Sequence, residues 1–167
     1  MLTMNEIGPQ AYRDAMARFA GAVHVATTDG KAGRRGTTVI AACSVSDNPA
    51  TILVCVNATS EANQRFLDNG VFALNTLSTP QHEVAQAFSG MADIEPEDRF
   101  NIGRWDKLAS GAPTLVDAMA TFDCRLVEVK RMHTHFVLFG EVVALRTGQL
   151  IEPLLYLNRT YRSLSKI

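Results

Sequence analysis

The sequence predicts a mainly β domain of the α+β class, an antiparallel barrel with helices at its periphery. Three observations point there. About seven segments of strand length follow one another at hairpin-like spacing, the helical segments between them are short, and strand and helix do not alternate as a doubly wound sheet requires. The chain has 167 residues, which suits one domain spanning 1–167. A chain of this mass buries roughly 69% of its extended surface on folding, enough core to need no staples.

The elements follow in order. Tyr12, Met16 and Phe19 recur at i, i+4 and i+7, so an amphipathic helix is expected from Pro9 to Ala20, with Pro9 in its first turn and Gly21 as its stop. Ala22 to Thr28 reads as a Val- and Thr-rich strand closed by Asp29-Gly30, and Lys31 to Gly36 as a loop. A long strand is expected over Thr37 to Ser46. Asn48-Pro49 turns the chain into Thr51 to Val56, an apolar run expected to be buried on both faces. Ser60 is placed to cap a short helix through Asp68 that ends at Asn69-Gly70. Val71 to Leu77 returns as a strand. Ser78 or Thr79 then caps a helix with Pro80 in its first turn and Val84, Ala85 and Phe88 on its inner face. Asp93, Glu95, Glu97 and Asp98 read as solvated surface around a one-turn helix entered at Pro96. Three extended segments follow the Gly111-Ala112-Pro113 break: Thr121 to Lys130, Thr134 to Arg146 and Leu150 to Leu157. Within the first, apolar alternation runs through Phe122, Cys124 and Leu126 and then changes phase to Val127 and Val129, which predicts a bulge near Leu126.

Sixteen Lys plus Arg balance 17 Asp plus Glu for a net charge of −1, and 12 of the cations are Arg. No basic run exceeds two residues, as at Arg34-Arg35, which argues against a nucleic-acid partner. Signal-peptide and membrane-span patterns are absent from the sequence, so a cytoplasmic location with no membrane partner is expected. Cys43, Cys55 and Cys124 show no CxxC spacing and sit in apolar runs, where a small buried hydrophobe is the expected role. The sequence lacks GxGxxG after a strand, GxxxxGK[ST], GxSxG and HExxH. His133 and His135 would share a strand face, but no further ligands stand at a diagnostic spacing, and no metal is expected. Ser44 and Ser46 have no evident His and carboxylate partners. What remains is a set of small hydroxyl and amide residues at strand ends. That composition suits an enzyme whose cofactor carries the hard chemistry while the protein orients it, and no catalytic residue is assigned.

The richest stretch runs GTTVIAACSVS over Gly36–Ser46 and LVCVNATSEAN over Leu53–Asn63. With YRDAM and RFAGAV near the start, FALNTLS, Arg99-Phe100, THFVLFGEV and PLLY, in that order, the chain resembles the flavin reductase family. These are the small reductase components of two-component flavin-dependent monooxygenases, and the chain is similar to the 4-hydroxyphenylacetate 3-monooxygenase reductase type. The similarity spans about Tyr12 to Tyr161. It implies a Greek-key, split β-barrel that binds FMN or FAD and takes NADH or NADPH as co-substrate.

Carried over, the resemblance implies that Thr37, Thr38, Val39 and Ala41 line the flavin, and that Ser44, Val45 and Ser46 close the far end of that strand. Asn57, Ser60 and Asn63 would face the ribityl phosphate. A capped helix start at Ser60 would also present free amides to an anion, although Ser60 reads equally well as a plain N-cap. Arg99 would pair with the phosphate or with Glu97 or Asp98. His135 matches a family His near the nicotinamide, but His133 stands where the family has Gly, a position that needs positive φ. Tyr156 and Tyr161 would shape the pocket or pack as core or interface aromatics. A homodimer and a monooxygenase partner are implied too. A corrin reductase acting on cob(II)yrinic acid a,c-diamide, and a non-catalytic flavin- or haem-binding barrel, are the alternatives.

Overall fold

A computed structural model describes residues 7–149 and 151–164. The elements are α1 (Pro9–Met16), β1 (Gly21–Ala22), β2 (His24–Thr28), β3 (Arg35–Val39), β4 (Ala42–Asp47), β5 (Ala50–Asn57), α2 (Gln64–Asn69), β6 (Val71–Thr76) and α3 (His82–Phe88), followed by β7 (Trp105–Lys107), β8 (Pro113–Leu115), β9 (Ala120–Met132), β10 (His135–Thr147), β11 (Leu155–Leu157) and β12 (Thr160–Arg162). Seven strands form one antiparallel sheet in the order β3-β2-β6-β9-β10-β5-β4. The sheet curls until β3 lies beside β5 without forming a ladder with it, so the barrel is split between these strands. A small sheet, β1-β11-β12, and the β7-β8 pair flank it.

Each face of the sheet carries its own core. Ala26, Val54, Val56, Phe66, Phe72, Leu74, Cys124 and Leu138 fill the barrel. Val23, Val25, Leu77, Ala85, Phe88 and Leu115 form a second cluster with α3. The predicted bulge is present: Glu128 pairs with Phe139 and Leu126 with Gly140, which leaves Val127 as the extra residue. The insertion returns Val129 to the face of Leu126, and both pack on the barrel core.

Several expectations are corrected. The long strand over Thr37–Ser46 is broken at Ile40-Ala41, where the chain passes from one edge of the sheet to the other. Its continuous apolar run hid the bend. β5 is not buried on both faces: Ile52, Val54 and Val56 are buried, while Leu53 and Cys55 are half-buried. Cys124 is buried as expected, but Cys43 is exposed and Cys55 only half covered. The first helix ends at Met16, and its apolar stripe finds no cover among the described residues: Tyr12, Met16 and Phe19 are 60%, 43% and 71% exposed. The segment capped by Ser60 is a single 3₁₀ turn, Glu61–Asn63, leading into the six-residue α2, and the Ser60 hydroxyl makes no capping bond. The acidic stretch is exposed as expected, but its one-turn helix begins at Asp98. Of the last predicted strand, Leu150 lies outside the described residues and the described strand begins at Leu155.

Candidate functional site

The split leaves β3 as an edge strand, and the outer backbone edge of Arg35–Val39 has no strand partner. An edge of free amides and carbonyls is a ready recognition surface for a planar polar ligand. Val39 is buried, Thr37 and Thr38 are half-buried, and Ala41 is exposed at the bend. The Thr38 hydroxyl is already spent, donating to the Ala85 carbonyl at 2.7 Å, so Thr38 contributes backbone and ties β3 to α3.

The loop after β5 stands across the split. Asn57 turns the chain by accepting from the Thr59 amide and hydroxyl, both at 2.8 Å. Asn63 is buried, donates from Nδ2 to the Asn57 carbonyl at 2.9 Å and accepts from Arg35 Nε at 2.9 Å. Both ends of its amide are therefore used, and Asn63 acts by fixing Arg35. The Ser60 hydroxyl, at the N-terminus of the turn that holds Asn63, makes no capping bond.

His135 opens β10 and pairs directly with Asn57. Its Nδ1 shares a 2.9 Å hydrogen bond with the Thr134 hydroxyl, which leaves Nε2 for a ligand. His133 holds φ 50, so the left-handed turn that the resemblance assigns to glycine is kept here by a residue with a side chain. Tyr156, on β11, lines a cleft of about 170 Å³ with Val23, Thr38, Val39, Met91 and Tyr161. It thus meets the C-terminal end of β3. Ser44, Val45 and Ser46 lie farther along β4, near the turn into β5, with Val45 as a bulge opposite the Ile52-Thr51 pairs. They are not gathered with the arginine end of β3.

Sequence reading missed how many arginines meet at the N-terminal end of β3. Arg34, Arg35, Arg65 and Arg99 come from three separate segments. Arg65 Nη1 donates to the Arg34 carbonyl at 3.1 Å, and the Arg34 guanidinium lies 4.3 Å from the centre of the Phe100 ring. Burial, then the charges of Arg99 and Arg65, make Arg35 easier to deprotonate than an ordinary arginine, yet it stays charged at neutral pH. Arg99 donates Nε to the Ile94 carbonyl at 3.2 Å and pairs with neither Glu97 nor Asp98. None of the four forms an ion pair among the described residues. The nearest legible signal was the preference for Arg over Lys, because the guanidinium fork matches phosphate.

At the other end of β3, His24 pairs with Val39 and Thr76 and bonds the Thr76 hydroxyl through Nδ1 at 3.0 Å. Burial holds its pKa down to about 4, so it is neutral at pH 7. One strand therefore runs from a cationic pocket to an uncharged, apolar cleft.

The flavin reductase like domain matches residues 16–165. The chain belongs to that family. Among relatives of this flavin reductase family member, a protein of Ancylobacter novellus named FMN reductase (NADH) RutF is 45% identical over 159 residues, covering 95% of this chain and 87% of its own. A protein of the same name from Methylorubrum populi is 44% identical, covering 96% and 78%. Solved structures agree on the split-barrel fold. The flavin reductase of styrene monooxygenase from Pseudomonas putida S12 superposes with a TM-score of 0.80 at 27% identity, over 93% of this chain and 98% of that one. The Streptomyces globisporus C-1027 NADH:FAD oxidoreductase SgcE6, in complex with NAD and FAD fragments, gives 0.85 at 25% identity over 97% and 98%.

Proposed function

We propose that this chain is an NADH-dependent flavin reductase that uses FMN and supplies reduced flavin to the monooxygenase of a two-component system. The observation that carries the reading is the edge strand β3, with unpaired arginines at one end and an apolar cleft at the other. This polarity fits a flavin mononucleotide, whose phosphate and ring differ in the same way. The names of the relatives supply FMN and NADH, and the styrene monooxygenase reductase supplies the kind of partner.

When bound, flavin would supply the two-electron chemistry that links the nicotinamide to the acceptor. The protein's task is positioning. Arg35 and Arg99 hold the phosphate, with Asn63 fixing Arg35 and the Ser60 hydroxyl at hand. Backbone groups of Thr37, Thr38, Val39 and Ala41 meet the ring edge, and Tyr156 closes the cleft. Ser44, Val45 and Ser46 close the far end of the site from β4, beyond the bend. His135 offers Nε2 to the nicotinamide carboxamide, with Asn57 beside it. No side chain is needed to move a proton in the hydride step.

We read 1–167 as one such domain, working in the cytoplasm as a homodimer. No helix among the described residues is long and apolar enough to cross a membrane. Among the described residues α1 leaves its apolar stripe uncovered, a face suited to a second copy of the chain. Anaerobic visible spectra of the purified protein with FMN, before and after NADH, test the reading. Bleaching of the flavin band is expected; bound flavin that stays oxidised would make the protein a binding module instead.

A further inference from the structure

The four arginines exceed what holding a flavin in place requires. Arg35 and Arg99 are half-buried and each spends its Nε on a neutral acceptor, Asn63 Oδ1 or the Ile94 carbonyl. Their Nη edges are left for a ligand. Arg34, exposed, and Arg65, half-buried, line with Gly33, Pro96, Glu97 and Phe100 a cleft of about 180 Å³ that neither Arg35 nor Arg99 lines. Glu97 shares that cleft without forming an ion pair to either arginine among the described residues. Like charges drawn together and partly stripped of water are unfavourable unless an anion joins them.

The cleft also has a stiff wall. Phe100 lies edge-to-face against Phe88 at 4.9 Å and against Trp105 at 5.2 Å, so Arg34 rests on a ring that cannot swing freely. A terminal phosphate monoester carries a charge of about −1.5 to −2 and three acceptor oxygens. It can meet two guanidinium forks inside and still present an oxygen to the rim. An internal pyrophosphate lacks that terminal dianion and must carry its adenylate out past Arg34. Riboflavin offers nothing to the cluster.

The geometry points to Arg34 and Arg65 as specificity-determining residues that select a flavin ending in a monophosphate over a flavin dinucleotide or a flavin without phosphate. This inference rests on the flavin reading above. The ring and the nicotinamide are held elsewhere, so the rim acts on flavin binding and not on hydride transfer.

The test compares wild type with R34A, R65Q and R34K, each checked for an unchanged melting temperature, using FMN, FAD and riboflavin. Flavin binding is read by fluorescence quenching and turnover with NADH under steady state. For R34A and R65Q the Kd and KM for FMN should rise about tenfold with kcat within twofold, while riboflavin kcat/KM stays within twofold. R34K should recover part of the FMN affinity. Equal losses for all three flavins, or unchanged FMN affinity, would overturn the inference. So would a wild type that takes FMN and riboflavin equally well. A wild type that reduces none of the three fails at the flavin reading itself, a result these arms keep distinct.

Discussion

The two ends of β3 treat charge in opposite ways. At the N-terminal end, Arg35 is drawn among other arginines and keeps its charge, because a guanidinium gives up its proton only far above neutral pH. At the C-terminal end, His24 is enclosed across from Val39 and gives its charge up. The strand Arg35–Val39 that joins them spans roughly 13 Å from end to end. A strand whose ends differ this sharply over that distance reads a molecule that is ionic at one end and flat and apolar at the other. Neither end alone would distinguish a flavin nucleotide from a bare phosphate or a bare aromatic ring.

The most damaging way to blur the contrast is to charge the apolar end. Because the pKa of His24 falls from 6.5 unfolded to about 4 folded, the unfolded chain binds its proton first as pH drops. The contribution of neutral His24 is thus whole above pH 6.5, declines as pH falls toward 4 and then levels off. The loss should reach about 3 kcal/mol, visible in melting temperature against pH. H24N should flatten that profile, and a variant with the same slope as wild type would remove His24 as its source.

Discharging the other end comes next. R35M removes a partly buried cation that no carboxylate repays, so flavin phosphate affinity should fall about 100-fold while stability holds or rises. Calorimetric titration with FMN alongside thermal melts checks both halves. A variant that loses stability and affinity together would mean that Arg35 is mainly a structural strut for Asn63.

Gly36 links the two ends mechanically. A Cβ there would sit 2.5 Å from the Phe88 ring and 3.3 Å from Phe100, the aromatic wall on which Arg34 leans. G36A should therefore cost about 1 to 3 kcal/mol by overpacking and weaken FMN binding indirectly. Denaturant melts showing no loss would mean that the wall moves aside, and the stiff-rim argument would lose its support.

How far the sequence revealed this site differs between the two ends. The strands were legible because apolar alternation registers a sheet face directly, and even the bulge at Val127 showed as a change of phase. The bend at Ile40-Ala41 was not, because an unbroken apolar run looks the same straight or kinked. Thr37, Asn57 and His135 were nominated through family order, while the arginine cluster was missed because an Arg pair in a loop resembles solvated surface. Only the closing of the barrel brings Arg65 and Arg99 to Arg35. The stripe of α1 was legible as a helix face, but no partner for it lies among the described residues.

The smallest expected effect concerns the turn that presents His135. Met132 pairs with His135 across a two-residue connection, and His133 holds φ 50, a conformation that costs a side-chain-bearing residue about 1 to 2 kcal/mol relative to glycine. Histidine tolerates this region better than most residues, and glycine gives back part of the gain through its freer unfolded chain. H133G should therefore stabilise by only about 0.5 kcal/mol, a rise of roughly 1 to 2 °C in melting temperature. The KM for NADH is the sharper readout. If His133 serves only the turn, H133G leaves that KM unchanged, because the Thr134 hydroxyl still holds Nδ1 of His135. A raised KM with an unchanged Kd for FMN would instead assign the imidazole of His133 to the nicotinamide side of the site.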